Sequence, residues 1–213
     1  DAVYIGLFFP HWGHFLVDLI TRLWALPRLE WDRQDFVVAF LGDQELSGNY
    51  LRFFELLGVE KDRLVRITEP TRFRKVYIPA QAFKSCEWYT EEHLEMLNYV
   101  TDAALRSKQM YPELQKAEKV YFTRRSFSKA LDSEFGEEYF EEFWIQNGFQ
   151  RLAPEQMDLE EQIIIWNHAK QIVCINGTIP LNVIFCKGQK PSLIVLNKTS
   201  IVHENPYLLL EMR

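Results

Sequence analysis

Apolar residues along the chain fall into two alternating textures, short continuous runs and longer stretches with helical spacing. Residues 3–9 (VYIGLFF) form a run without helical period, bounded by Pro10, and predict a buried strand. Residues 13–29 carry Phe15, Leu16, Leu19, Ile20, Leu23 and Trp24 at spacings of three and four. That pattern predicts a helix whose end Pro27 perturbs. Residues 36–41 read as a second buried strand, and 47–57 as a helix stopped by Gly58. Residues 64–67 and 76–78 read as short strands. A long helix is expected over 90–108, with Thr90 as its N-cap and Glu91 and Glu92 in the first turn, where the helix dipole favours them.

Tyr111-Pro112 interrupts the pattern, and the alternation then resumes. Strands are expected at 119–123, 171–175 and 193–196. Helices are expected at 135–147 (ended by Gly148), at 159–169, and at 178–186 (opened by Gly177). Strand–helix alternation favours an α/β fold with mainly parallel sheets. The break suggests two lobes, 1–112 and 113–213. No internal repeat or low-complexity segment is visible.

The 213 residues allow one domain or two small ones. Composition is that of an ordinary globular chain, with 47% hydrophobic and 25% charged residues. A net charge of −6 argues against a nucleic-acid binder, which would be basic. No run of 18 apolar residues exists, so no membrane span is expected. The three cysteines, Cys86, Cys174 and Cys186, are too few and too odd for a disulfide framework and point to a reducing compartment. Cys174 and Cys186 sit among apolar residues and read as core fillers. The chain begins at Asp1 rather than Met, which suggests trimming or a fragment of a longer protein. No signal peptide is visible, and a missing N-terminus would hide one.

Three constellations carry candidate chemistry, each where a predicted strand gives way to a loop or helix. Such carboxyl ends are where open α/β sheets bind ligands. The first is Pro10–Arg22, in which His14, Asp18 and Arg22 stand at i, i+4 and i+8 and would share one helical stripe. A His with a carboxylate one turn away is the arrangement of an oriented general base, with Asp18 as base in the reverse assignment. Trp12 and Arg22 accompany the pair, and the family resemblance given below implies that they bind the acceptor. The competing reading is a surface His beside an ordinary helical ion pair.

The second constellation is the loop containing Arg124, Arg125 and Lys129, whose cations suit phosphates. A solvated basic turn is its plainer alternative. The third is Asn176-Gly177-Thr178 with Pro180 and Asn182, a glycine turn opening a helix, where backbone amides can meet an anion. An ordinary βα turn is the alternative there. Glu161 and Gln162, on the preceding helix, could meet sugar or ribose hydroxyls. His93, His168 and His203 show no metal spacing, and no Asp-x-Asp is present, so neither zinc nor a magnesium-held diphosphate is expected. No P-loop, GxGxxG or Gly-x-Ser-x-Gly elbow occurs, which disfavours kinase, oxidoreductase and hydrolase readings.

Four stretches together resemble glycosyltransferase family 61: GHFLVDLITRLWAL at 13–26, YFTRR at 121–125, FGEEYFEEFWIQNGF with Glu155, and LEEQIIIWNHAKQIVCINGTIPLNVIF at 159–185. They stand in family order and span most of the chain. The resemblance implies a GT-B-like architecture of two Rossmann-like lobes, with the acceptor largely on the N-terminal lobe and the donor on the C-terminal one. It implies an inverting transferase that moves a sugar from a nucleotide-sugar donor to a glycan acceptor without a metal or other cofactor, as in capsular polysaccharide synthesis. A bacterial member would work in the cytoplasm or at its membrane, and a eukaryotic one in the secretory lumen. Trp12 stands where a familiar family form has Asn, and Asn176-Gly177-Thr178 where the family often has His-Gly-Ser/Ala. Typical members are longer, which implies a truncated form. A non-catalytic nucleotide- or glycan-binding relative is the alternative reading.

Overall fold

The computed structural model describes residues 1–29, 36–127, 136–198, 200 and 205–213. Lys129 and His203, singled out above, lie outside the described residues. The chain divides into two compact units, 1–103 with Met212, and 104–211 with Arg213. The division falls in the last turn of the helix Glu91–Leu105.

The first unit is built on four parallel strands, β1 (Ala2–Phe8), β2 (Val37–Gly42), β3 (Leu64–Ile67) and β4 (Val76–Tyr77), in the order β3-β2-β1-β4. From β1 the chain winds outward to β2 and β3, then returns to place β4 on the other side of β1. The carboxyl end of β1 is therefore the point where the winding reverses, and ligands of open α/β sheets bind at such points. β1 and β2 are continuous apolar runs because parallel strands are covered on both faces. A small antiparallel hairpin, β5 (Phe83–Lys84) with β6 (Trp88–Tyr89), completes the strands of this unit.

The helical segment after β1 is not one uniform α-helix. A single α-turn, α1 (Trp12–His14), runs into a π segment over Phe15–Leu19, and a 3₁₀ stretch over Ile20–Arg28 follows. The Ile20 N–H reaches back to the Phe15 carbonyl, an i→i+5 bond. The wider turn puts Phe15, Leu16, Val17 and Leu19 all inside. Ile20, Leu23 and Leu26, spaced by three, are then fully buried, which matches the period of a 3₁₀ helix. Phe15 anchors the segment in an aromatic cluster with Tyr50, Phe53 and Phe54 from α2 (Gly48–Leu56). In α3 (Glu91–Leu105), the Thr90 hydroxyl receives the His93 N–H at 3.4 Å, as expected of its N-cap.

The second unit repeats the scheme. β7 (Lys119–Phe122), β8 (Gln150–Leu152), β9 (Gln171–Ile175) and β10 (Ser192–Leu196) are all parallel, in the order β10-β9-β7-β8. β8 lies on one side of β7; the chain then crosses back to β9 on the other side. The reversal point is here the carboxyl ends of β7 and β9. Helices α4 (Glu137–Gln146) and α5 (Leu159–His168) fall where helical spacing predicts them. The expected helix at 178–186 is a buried 3₁₀ turn, Ile179–Phe185, with Pro180 in its first turn. A last helix, α6 (Asn205–Met212), was not expected from the pattern. The two units are thus mixed α/β with parallel, Rossmann-like sheets.

Candidate active site

The first unit brings His14 and Asp18 together. His11, extended after Pro10, accepts the His14 N–H on Nδ1 at 3.4 Å and so starts α1. One turn on, His14 Nδ1 lies 2.7 Å from Asp18 Oδ2. The carboxylate can only accept, so a neutral imidazole carries its proton on Nδ1 and leaves Nε2 with a free lone pair. Both side chains are more than half exposed, 52% and 60%. The imidazole packs against the Phe9 ring at 5.0 Å and the His11 ring at 4.8 Å.

The other two residues of this constellation are placed differently. Trp12 stacks on Phe15 at 5.2 Å and leans on Tyr50, so part of its ring is already covered within the unit. Arg22 does not continue the His14–Asp18 stripe. Its guanidinium donates to the Pro79 carbonyl in the loop after β4, and the Trp24 indole donates to Ala80 beside it at 2.8 Å. The cause is the change of winding: an i+8 stripe assumes one constant α twist, and this segment passes from π to 3₁₀ between residues 18 and 22.

At the reversal point of the second unit, Arg124 and Gly177 converge from the ends of β7 and β9. Gly177 has φ +149°, and a Cβ there would stand 3.2 Å from Arg124 Nη1 and 3.9 Å from Lys198 Nζ. Only glycine suits that backbone and leaves that space. Asn176, 5% exposed, links the ends of β9 and β10: its Nδ2 donates to Asn197 Oδ1 at 2.8 Å and its N–H to the Leu196 carbonyl at 2.8 Å. Asn176 Oδ1 is buried without a hydrogen-bond partner. Thr178 caps the 3₁₀ turn through its carbonyl, which accepts the Leu181 N–H.

Arg125 turns the other way. Its Nη1 lies 3.0 Å from Glu141 Oε1, and Arg151 Nε lies 2.9 Å from Oε2 of the same carboxylate. The Thr123 hydroxyl adds a 2.6 Å bond to Glu141. Burial alone would raise the Glu141 pKa; the hydrogen bonds from Thr123, Arg151 and Arg125 outweigh it and hold the carboxyl below its ordinary value.

Glu161, Gln162 and Asn182 each make hydrogen bonds to nearby stretches of chain. Asp158 and Glu161 form a reciprocal capping box on α5, with the Asp158 N–H 2.8 Å from Glu161 Oε2. Gln162, buried, donates to the Pro154 and Met157 carbonyls and pins the turn before α5. Asn182, also buried, donates to the Ile179 carbonyl. Glu161→Ala is accordingly expected to cost about 0.5–2 kcal/mol of stability, the usual size of a lost cap, while leaving nucleotide affinity intact. Thermal melts and titration calorimetry on the same variant check both halves.

Lys198 was missed by sequence reasoning. The available signal was its place two residues beyond a predicted strand, the position Arg124 holds after β7 and Gly177 after β9. Glu137 and Glu141 were missed too, although they stand one turn apart on a predicted helix. Cys174 and Cys186 are core residues, as expected, with both thiols pushed up to about 12 by burial. Among the described residues, no group of three or more His, Cys, Asp or Glu side chains is placed to hold a metal. Nor is any described helix long and apolar enough to cross a membrane.

A comparison with curated proteins finds no match. The sequence model of glycosyltransferase family 61 matches residues 12–193. That span takes in the His14–Asp18 pair of the first sheet and the Arg124–Gly177 convergence of the second. The chain belongs to glycosyltransferase family 61, and with it to enzymes that carry a sugar from a donor to an acceptor.

Proposed function

We propose that this chain is an inverting transferase of the GT-B class, moving a sugar from a nucleotide-sugar donor to a hydroxyl of a glycan or glycoconjugate acceptor, as in polysaccharide biosynthesis. The observation that carries the donor half is the convergence of Arg124, Lys198 and Gly177 at the reversal point of the second sheet. Two cations and a glycine turn there suit a diphosphate, with Arg124 as fork and Lys198 as point charge. Asn176 Oδ1, buried and without a partner, offers an acceptor for a donor hydroxyl or N–H.

The acceptor half rests on His14. Its Nε2 takes the proton of the acceptor hydroxyl while that oxygen bonds the anomeric carbon. The bond from that carbon to the diphosphate oxygen breaks, and its electron pair leaves with the nucleoside diphosphate. Asp18 steadies the imidazolium, and the cations stabilise the departing charge. Single displacement inverts the anomeric configuration. In this reading Arg124 and Lys198 neutralise the diphosphate, and turnover needs no added metal.

A nucleotide-sugar panel supplied with glycan acceptors tests this. Proton NMR of the product is expected to show the opposite anomer from the donor, with turnover unchanged in chelator. Retained configuration, or activity abolished by chelator and restored by manganese, contradicts the mechanism. Nucleotide binding with no turnover on any donor favours a non-catalytic relative.

A further inference from the structure

The two arginines after β7 are sequence neighbours with opposite fates, and a pair of buried carboxylates separates them. Glu137, 5% exposed, is the first residue of α4, where the helix dipole favours a negative charge. Its Oε1 lies 2.7 Å from the Arg124 backbone nitrogen and 3.2 Å from the Tyr121 hydroxyl. Burial, and then the Glu137 charge, push the Tyr121 phenol far above its ordinary pKa, so it stays a donor. Glu141, 6% exposed, sits one turn along the same helix and takes the Thr123 hydroxyl, Arg125 and Arg151.

The donors can be counted. Thr123 has one hydroxyl proton, and the 2.6 Å bond to Glu141 claims it; its oxygen in turn accepts the Arg125 N–H at 3.2 Å. The 3.2 Å approach of Thr123 to Glu137 is then no second bond. Glu137 is left with the Arg124 N–H and the Tyr121 phenol. A buried carboxylate is costly unless bonded, so both glutamates tie the chain leaving β7 to α4.

We propose that Glu137 is a positioning residue for the donor. By holding the Arg124 backbone N–H, it fixes where that residue leaves the sheet and so aims its guanidinium over Gly177. Glu141, by binding Arg125 Nη1, leaves Arg124 as the arginine that meets the diphosphate. This rests on the donor placement proposed above.

The test is titration calorimetry of the full chain with UDP, GDP and inorganic pyrophosphate, and with uridine and guanosine as phosphate-free controls. The variants are R124A, E137A, E137D and E137Q, each checked by thermal melt. Glu137→Asp shortens the carboxylate by one carbon and is expected to weaken diphosphate binding about tenfold, with nucleoside binding unchanged. Glu137→Gln keeps a carbonyl acceptor for the Arg124 N–H and is expected to stay within about threefold of wild type. Glu137→Ala is expected to match or exceed the loss in E137D; should it not fold, E137D and E137Q carry the comparison. A purely structural role would lower nucleoside and diphosphate affinity together and is thereby refuted or established. If R124A weakens diphosphate binding and E137D does not, Glu137 is not the positioning residue, while the donor site stands. If R124A has no effect, the donor placement itself fails, and this inference with it.

Discussion

His14→Ala is expected to lower kcat by about 10²–10⁴-fold, the usual contribution of a general base, while donor affinity stays near wild type. The expectation follows from the geometry at the end of β1. Asp18 takes the Nδ1 proton at 2.7 Å, which fixes the tautomer that leaves Nε2 basic. The imidazole is more than half exposed, so an acceptor hydroxyl can reach it from solvent. Asp18→Asn should fall nearly as far, because an amide can offer an N–H in place of the acceptor oxygen and favour the wrong tautomer. Both variants should melt close to wild type, since an exposed ion pair contributes little to stability. Steady-state kinetics with saturating donor separates the cases. A His14→Ala enzyme with near-normal kcat would move the role to Asp18; two fully active variants would remove the site.

Arg124→Ala is expected to weaken nucleoside diphosphate binding by about 10- to 100-fold, the size of a lost charge-assisted hydrogen bond. Arg124→Lys should recover only part of this, because a point charge replaces a bidentate fork. Gly177→Ala should act in the same direction from the other side: its φ of +149° disfavours a side chain, and the new Cβ would press on Arg124 Nη1 at 3.2 Å. Arg125→Ala serves as the contrast. It removes one partner of the buried Glu141 carboxylate and should show in the melting temperature before it shows in nucleotide affinity. Equal affinity losses in the two arginine variants would contradict the separate directions the structure gives them.

The sheets were legible because central parallel strands are buried on both faces. Apolar runs at 3–9, 120–122 and 172–175 mark β1, β7 and β9. β8, with the sequence QRL, is an edge strand paired only to β7 and carries no such run. The hairpin strands are two residues each, below what a pattern can signal. The last helix was announced only by Pro206 in its first turn. In the segment after β1, the three-residue spacing of Ile20, Leu23 and Leu26 was the visible sign of 3₁₀ winding, yet it also fits an α-helix, and the π turn at Phe15–Leu19 left no separate mark.

At the site, local relations could be read and distant ones could not. His14 and Asp18 are one turn apart, and the α and π winding there brings them together. Arg22 is decided by accumulated twist and by Pro79, 57 residues away. Arg124 and Arg125 are indistinguishable as text. What separates them is α4, whose Glu141 lies 16 residues beyond Arg125 and reaches it only once the second unit has folded. Lys198 joins Gly177 only because β10 lies beside β9. The Asp158–Glu161 capping box, by contrast, is a sequence-local signature, and it accounts for Glu161 without any ligand.

The most direct test of the account is a crystal structure of the chain with a bound nucleoside diphosphate. The diphosphate is expected at the carboxyl ends of β7 and β9, with its oxygens on the Arg124 guanidinium, the Lys198 ammonium and the backbone N–H groups of Gly177 and Thr178. A diphosphate bound on the first unit, or held on the second without Arg124 and Gly177, would contradict it.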